Sequence, residues 1–199
     1  MFKLGITGGI GSGKSYVSRR LEERQVPVYD TDTEAKRLML TDAVIREGLV
    51  ALLGPEVYQD GALNKPLLAR YLFSDAEHAR RVNALVHPRV RQDFEAWAAA
   101  REGTCAVVAL ESAILYEAGF EDAVDAVLLV AAPLEFRIQR AMQRDGASEA
   151  QVRARVQAQM DDAEKRRRAR YVVVNDGVEP LEPQLDALLE SIKSINSKV

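Results

Sequence analysis

Gly8-Gly9-Ile10-Gly11-Ser12-Gly13-Lys14-Ser15 combines residue types at a spacing suited to phosphate chemistry. It fits G-x-x-x-x-G-K-[ST], in which glycines let successive backbone N–H groups converge on phosphate oxygens. Lys14 is placed to reach the β- and γ-phosphates, and the Ser15 hydroxyl to meet a Mg²⁺ ion arriving with the nucleotide. The pattern predicts a site for a nucleoside triphosphate.

Three further groups of residues have chemical potential. Asp30 and Asp32 stand two apart after a short apolar run, where one carboxylate can take the proton of an acceptor hydroxyl. Alternatively, Asp30 only ends a strand and Asp32 complements a helix N-terminus. Arg137, Arg140 and Arg144 recur at helical spacing and form either a phosphate clamp or a solvated face. His87, followed by Pro88, either contacts an anionic acceptor or hydrogen-bonds in the core, and the proline marks a break or kink. The run from Lys165 to Arg168 is interleaved with acids and reads as ion pairing on an exposed helix. No Cys/His cluster has metal-ligand spacing, so the expected metal is Mg²⁺ with ATP.

These residues need elements to hold them. Phe2 to Thr7 reads as a buried strand before the glycine loop, and Val17 and Leu21 open a helix after it. Val26 to Asp30 reads as a second strand, with Thr31 as the cap of the next helix. From Asp42 to about Arg101 no strand is evident, and Val82, Leu85, Val86, Val90, Phe94 and Trp97 line one helical face. Thr104–Leu110 and Ala123–Val130 are nearly continuous apolar runs, as strands covered on both faces are. A helix follows Pro133, a charged helix spans Ser148 to about Arg168, and Tyr171–Asn175 is a fifth strand before a closing helix. Strands separated by helices imply a parallel sheet with right-handed crossovers.

Composition sets the bounds. A hydrophobic fraction of 47% is ample for a core, and 199 residues suit one α/β unit with an insertion. A net charge of −3 gives no sign of a nucleic-acid or membrane binder. The single cysteine, Cys105, lies in an apolar run and reads as a buried thiol in a reducing compartment. The N-terminus is taken up by the first strand and loop, and no apolar run approaches a membrane span, so the expectation is a soluble cytoplasmic protein.

A phosphate loop serves switches, motors and kinases alike. The D-x-x-G and N-K-x-D signatures of GTPase switches are absent, and Asn64-Lys65-Pro66-Leu67 lacks the final aspartate. Glu111 ends its strand without the paired Asp-Glu of many ATPase engines. An inserted helical region and an arginine-bearing helical pair suit a small-molecule kinase, which needs an acceptor site and a lid that excludes water. A nucleoside or nucleotide kinase remains open at this point, as does a nucleotide-dependent switch with a protein partner.

Taken in order, these residues resemble the dephospho-coenzyme A kinase family. The resemblance is carried by Leu4 to Ser15, Asp30-Thr31-Asp32, His87-Pro88, Glu111 to Glu117, Gln139-Arg140 with Arg144-Asp145, Gln159, and Asn175-Asp176-Gly177. It implies a P-loop kinase core of the nucleotide-kinase type: a five-stranded parallel sheet flanked by helices, with a helical substrate-binding insertion and a helical lid. Residues 1–40, 104–132 and 170–199 would form the nucleotide core, 41–103 the coenzyme A-binding part and 133–169 the lid of a single unit. It also implies ATP and dephospho-coenzyme A as partners, with no nucleic acid, membrane or protein partner. By the same resemblance, Gly11, Ser12, Gly13, Lys14, Ser15 and Tyr16 wrap the ATP phosphates with Arg144 beside them, Lys14, Asp32 and Arg140 are catalytic, and Asp30, His87 and Glu111 lie on the acceptor side. Three places depart from the family pattern: Tyr16 stands where threonine usually follows, Glu111-Ser112-Ala113 where many members have Asp-Ile-Pro, and Asn64-Lys65 where an Asp-Arg pair is common.

Overall fold

A computed structural model describes residues 1–196. The chain forms two compact units, residues 1–29 with 98–199, and residues 30–97.

The first unit is built on a parallel sheet. Strand β1 (Phe2–Thr7) pairs in parallel with β5 (Val107–Glu111) on one side and β6 (Ala126–Ala131) on the other. Strand β7 (Tyr171–Val174) pairs with β6, and β2 (Val28–Asp30) lies beyond β5, giving the order β2-β5-β1-β6-β7. The order reverses at β1, and in open α/β sheets the crevice at such a point, beyond the strand carboxyl ends, is where ligands bind. All five residues of β5 and the first five of β6 are buried, which accounts for their unbroken apolar sequences.

One face of the sheet packs on α1 (Lys14–Glu22) and α9 (Leu181–Asn196). Phe2, Leu4, Ile6, Val107 and Leu128 meet Val17 and Leu21 of α1 and Leu185, Leu188 and Ile192 of α9. The leucine stripe of the closing helix therefore does what its spacing predicts. Arg24, just past α1, and Arg20 within it both pair with Glu182 at the start of α9, so the same two helices are also joined by charge.

The segment between β6 and β7 folds as α6 (Leu134–Asp145), α7 (Glu149–Gln157) and α8 (Asp162–Arg168). The continuous charged helix expected from Ser148 to Arg168 is thus two helices. Asp161 interrupts it, accepting the N–H of Ala163 at 2.9 Å as the cap of α8. Lys165 also differs from its expected exposed pairing. It is fully buried, with Nζ 3.4 Å from Glu117 Oε1 and 3.3 Å from the Ala113 carbonyl oxygen. Cys105 is only half-buried and precedes β5.

The second unit contains α2 (Thr31–Thr41), α3 (Ala43–Leu53), α4 (Lys65–Ser74) and most of α5 (Ala76–Ala99). A two-stranded antiparallel ribbon, β3 (Tyr58–Gln59) and β4 (Ala62–Leu63), turns at Asp60-Gly61, where periodicity showed no strand. Two residues per strand are too few for an alternation to register. Pro88 lies inside α5 without ending it. Its missing N–H leaves the Ala84 carbonyl without a helical donor, and both residues are exposed, so water can supply that bond. Val82, Val86, Val90 and Phe94 form the buried stripe of this helix. Arg89 bonds Asp42 Oδ2 through Nε and Nη2 at 2.9 and 2.6 Å, while Asp42 caps α3 by accepting the Ile45 N–H.

Candidate active site

The glycine loop runs from the carboxyl end of β1 into α1, whose N-cap is Gly13 at φ 89° with no capping side chain. No side chain caps the start of α1, the form that makes a helix N-terminus a phosphate site. Two glycines are required by shape as well as by φ. A Cβ at Gly11 (φ 76°) would come 2.1 Å from the Arg137 carbonyl oxygen, and one at Gly13 2.1 Å from Asn175 Nδ2.

These close approaches are part of a brace around the loop. Asn175 Nδ2 donates to the Ser12 carbonyl at 2.9 Å. The Ile10 N–H donates to Gln159 Oε1 at 2.9 Å, and Ser12 N–H closes the turn on Gly9 O at 3.1 Å. Ser12 is fully buried. Arg137 is buried too, pairs through Nη1 with Asp162, and packs its guanidinium against Gly9. Loop, α6 and the end of β7 are thereby locked together.

Lys14 Nζ donates to the Gly8 carbonyl at 2.9 Å, which curls the lysine back over its own loop. Ser15 is exposed, and its hydroxyl donates to Glu111 Oε1 at 2.9 Å. Glu111, the buried last residue of β5, also accepts the Ser18 hydroxyl on Oε2 at 2.6 Å. Tyr16 is exposed on α1.

The three arginines of α6 occupy different environments. Arg137 is the buried brace just described. Arg140 donates from Nη1 to the Asn175 carbonyl at 2.9 Å and stacks over the Phe136 ring at 4.0 Å. Arg144 is exposed and paired with Asp145 at 2.7 Å, and Asp145 also takes Arg155 at 2.9 Å. That carboxylate, held by Arg144 first and then Arg155, titrates below the usual range. Beside Arg137 lies an open cavity of about 360 Å³, lined by Val130, Ala131, Pro133, Val174 and Arg166. Asp162 and Asp176 line it as well, so its walls are mostly apolar with charged groups of both signs among them, the usual make-up of a small-molecule pocket.

In the second unit, Asp30, not Thr31, is the N-cap of α2. Its carboxylate accepts from Asp32 N at 3.0 Å, Thr33 N at 3.4 Å and Thr33 Oγ1 at 2.7 Å. Asp32 is exposed and gives that cap only its backbone N–H. His87 is half-buried in α5, and burial lowers its pKa from the ordinary value. Among the described residues no group of three or more His, Cys, Asp or Glu side chains could hold a metal ion.

Sequence spacing singled out the loop, Asp30 with Asp32, and the three arginines of α6, and the resemblance added Glu111; neither pointed to Ser18 or to the buried brace of Arg137. A serine three residues after Ser15, next to Val17 and before Leu21 on a buried helical face, was the available signal for Ser18.

A sheet that reverses at β1 and carries this loop there defines a P-loop nucleoside-triphosphate-binding fold. Shikimate kinase from Acinetobacter baumannii shares the fold, with a TM-score of 0.53 at 17% identity, covering 100% of this chain and 94% of that one. The family model for dephospho-CoA kinase matches residues 2–180, and the chain belongs to that family. A dephospho-CoA kinase from Bacteroides fragilis is 50% identical over 197 residues, covering 99% of this chain and 94% of the relative. A crystal structure of a Thermus thermophilus protein superposes with a TM-score of 0.83 at 42% identity, covering 96% and 97%. No described helix is long and apolar enough to cross a membrane.

Proposed function

We propose that this chain transfers the γ-phosphoryl group of ATP to the ribose 3′-hydroxyl of dephospho-coenzyme A, giving coenzyme A and ADP, the last step of coenzyme A synthesis. The observation that carries this reading is the uncapped N-terminus of α1 behind a braced glycine loop, in a chain half identical to a dephospho-CoA kinase along nearly its full length.

The loop from Gly11 to Tyr16 holds the ATP phosphates with backbone N–H groups. Lys14 leaves the Gly8 carbonyl for the β- and γ-phosphates, and its charge follows the negative charge that shifts during transfer. Arg140, already aimed by Asn175 and Phe136, adds a second cation, and Arg144 exchanges its exposed Asp145 pair for phosphate. Asp32 takes the proton of the acceptor hydroxyl; its exposure and small share in the α2 cap support it over Asp30, whose carboxylate is committed to that cap. Asp30, His87 and Glu111 lie on the acceptor side, residues 41–103 hold the coenzyme A moiety, and residues 133–169 act as the lid over a core made of 1–40, 104–132 and 170–199.

Mg²⁺ fits this donor set. The Ser15 hydroxyl proton points to a buried carboxylate, which leaves the oxygen's lone pairs for a hard cation. When bound, Mg²⁺ neutralises charge on the β- and γ-phosphates. The described side chains form no metal cage, so ATP oxygens and water supply the other ligands.

The test is ADP release on adding dephospho-coenzyme A, with the product's mass determined. One added phosphoryl group on the coenzyme supports the reading. Strong phosphorylation of a nucleoside instead, or ATP hydrolysis without any phosphorylated small molecule, overturns it.

A further inference from the structure

Ser18 stands out because a serine has little reason to be where it is. It is 5% exposed in the middle of α1, between Val17 and Leu21, which are both fully buried in the core. Alanine is the better helix former there and would bury no hydroxyl. Ser18 Oγ donates instead to Glu111 Oε2 at 2.6 Å, across 93 residues of sequence. Its position three residues after Ser15 puts both hydroxyls on one helical face, and Ser15 Oγ donates to the other oxygen of the same carboxylate at 2.9 Å.

We propose that Ser18 is a positioning residue that fixes the Glu111 carboxylate and, through it, the Ser15 hydroxyl, thereby setting how strongly Mg²⁺ supports nucleotide binding. This rests on the reading of Ser15 as the metal-facing hydroxyl.

The physical chain has three links. A serine hydroxyl rotates freely, and a cation is attracted only when the O–H proton points away from it. An ionised carboxylate can only accept, so while Glu111 faces Ser15 that proton is committed to Glu111. A glutamate side chain, however, has several rotamers, and its carboxylate torsion is broad. The short charge-assisted bond from Ser18 removes that freedom at the buried end. Glutamate also has one more methylene than aspartate between its carboxylate and the rigid end of β5, and the second anchor offsets that added freedom.

The experiment is equilibrium binding of ADP by the full chain, with Mg²⁺ and in excess EDTA, for the parent, Ser18→Ala, Ser18→Thr and Ser15→Ala. Thermal melting checks that each is folded. Ser18→Ala is expected to lose about fivefold to tenfold in affinity with Mg²⁺, less than the full worth of a hydrogen bond to a charged group because the effect passes through Glu111, and to bind as the parent does in EDTA. Ser18→Thr restores the Mg²⁺ increment, because it keeps the donor. Ser15→Ala loses most of that increment. An unchanged increment in Ser18→Ala beside a lost one in Ser15→Ala overturns the inference and leaves the Ser15 reading standing. An equal loss in both buffers overturns it too, by showing that Ser18 only supports the loop. A full increment in Ser15→Ala removes the reading itself and this inference with it.

Discussion

Asn175 Nδ2 donates to the Ser12 carbonyl at 2.9 Å, so the residue after the edge strand β7 holds the glycine loop that follows the central strand β1. The bond is buried, and its donor occupies the space a Gly13 side chain would need. Asn175→Ala leaves a buried carbonyl without its donor, a cost of about 1–2 kcal/mol. For a chain of this size that lowers Tm by roughly 3–6 °C. Gly13→Ala should cost at least as much, since it meets both a left-handed φ and the Asn175 amide. Scanning calorimetry of the two variants checks both. A Gly13→Ala protein that melts with the parent would contradict the close packing of the loop.

Lys14 offers a separation of chemistry from stability. Its Nζ bonds a carbonyl of its own loop, and it is only half-buried. Lys14→Ala is therefore expected to melt within a few degrees of the parent while turnover falls about 100-fold or more. Near-normal turnover would remove the loop from the reaction.

The aspartates of α2 divide in a measurable way. Asp32→Asn keeps shape and removes the base, so turnover should fall about 10²-fold to 10⁴-fold with ATP binding unchanged. Asp30→Ala removes three accepted bonds at the helix cap and should cost about 1 kcal/mol of stability. Its turnover should fall less than that of Asp32→Asn. The reverse ranking of the two turnovers would exchange their roles.

Much of this was legible in the sequence for identifiable reasons. The glycine loop is local, and a strand before it and a helix after it are the only context it needs. The buried runs that become β5 and β6 stand out because both faces of those strands are covered. What sequence did not show depends on contacts between distant segments. Gln159 reaches Ile10 across 149 residues, and the chain leaves its helix around that glutamine, which splits a charge-rich stretch that reads as one helix. Lys165 looks like any member of a basic run until Glu117 and the Ala113 carbonyl meet it in the interior. Pro88 misled in the other direction, because its cost is small where the orphaned carbonyl faces water. Asp30 took the cap from Thr31 because its carboxylate reaches two backbone N–H groups and a hydroxyl at once.

His87 gives a prediction in pH. Burial lowers its pKa below the ordinary histidine value of 6.5, so the unfolded chain binds the proton more readily than the folded one. Stability then rises with pH wherever only the unfolded state is protonated. The contribution is complete above the unfolded pKa and is lost as pH falls from there through the lower folded value. Between pH 7.5 and 5.5, above the ordinary range of carboxylates, the parent should lose stability on acidification, and His87→Gln should lose less. Urea unfolding at the two pH values, with the variant as reference, measures the difference. Equal losses in parent and variant would mean that His87 is as well solvated folded as unfolded, against its half-buried place in α5.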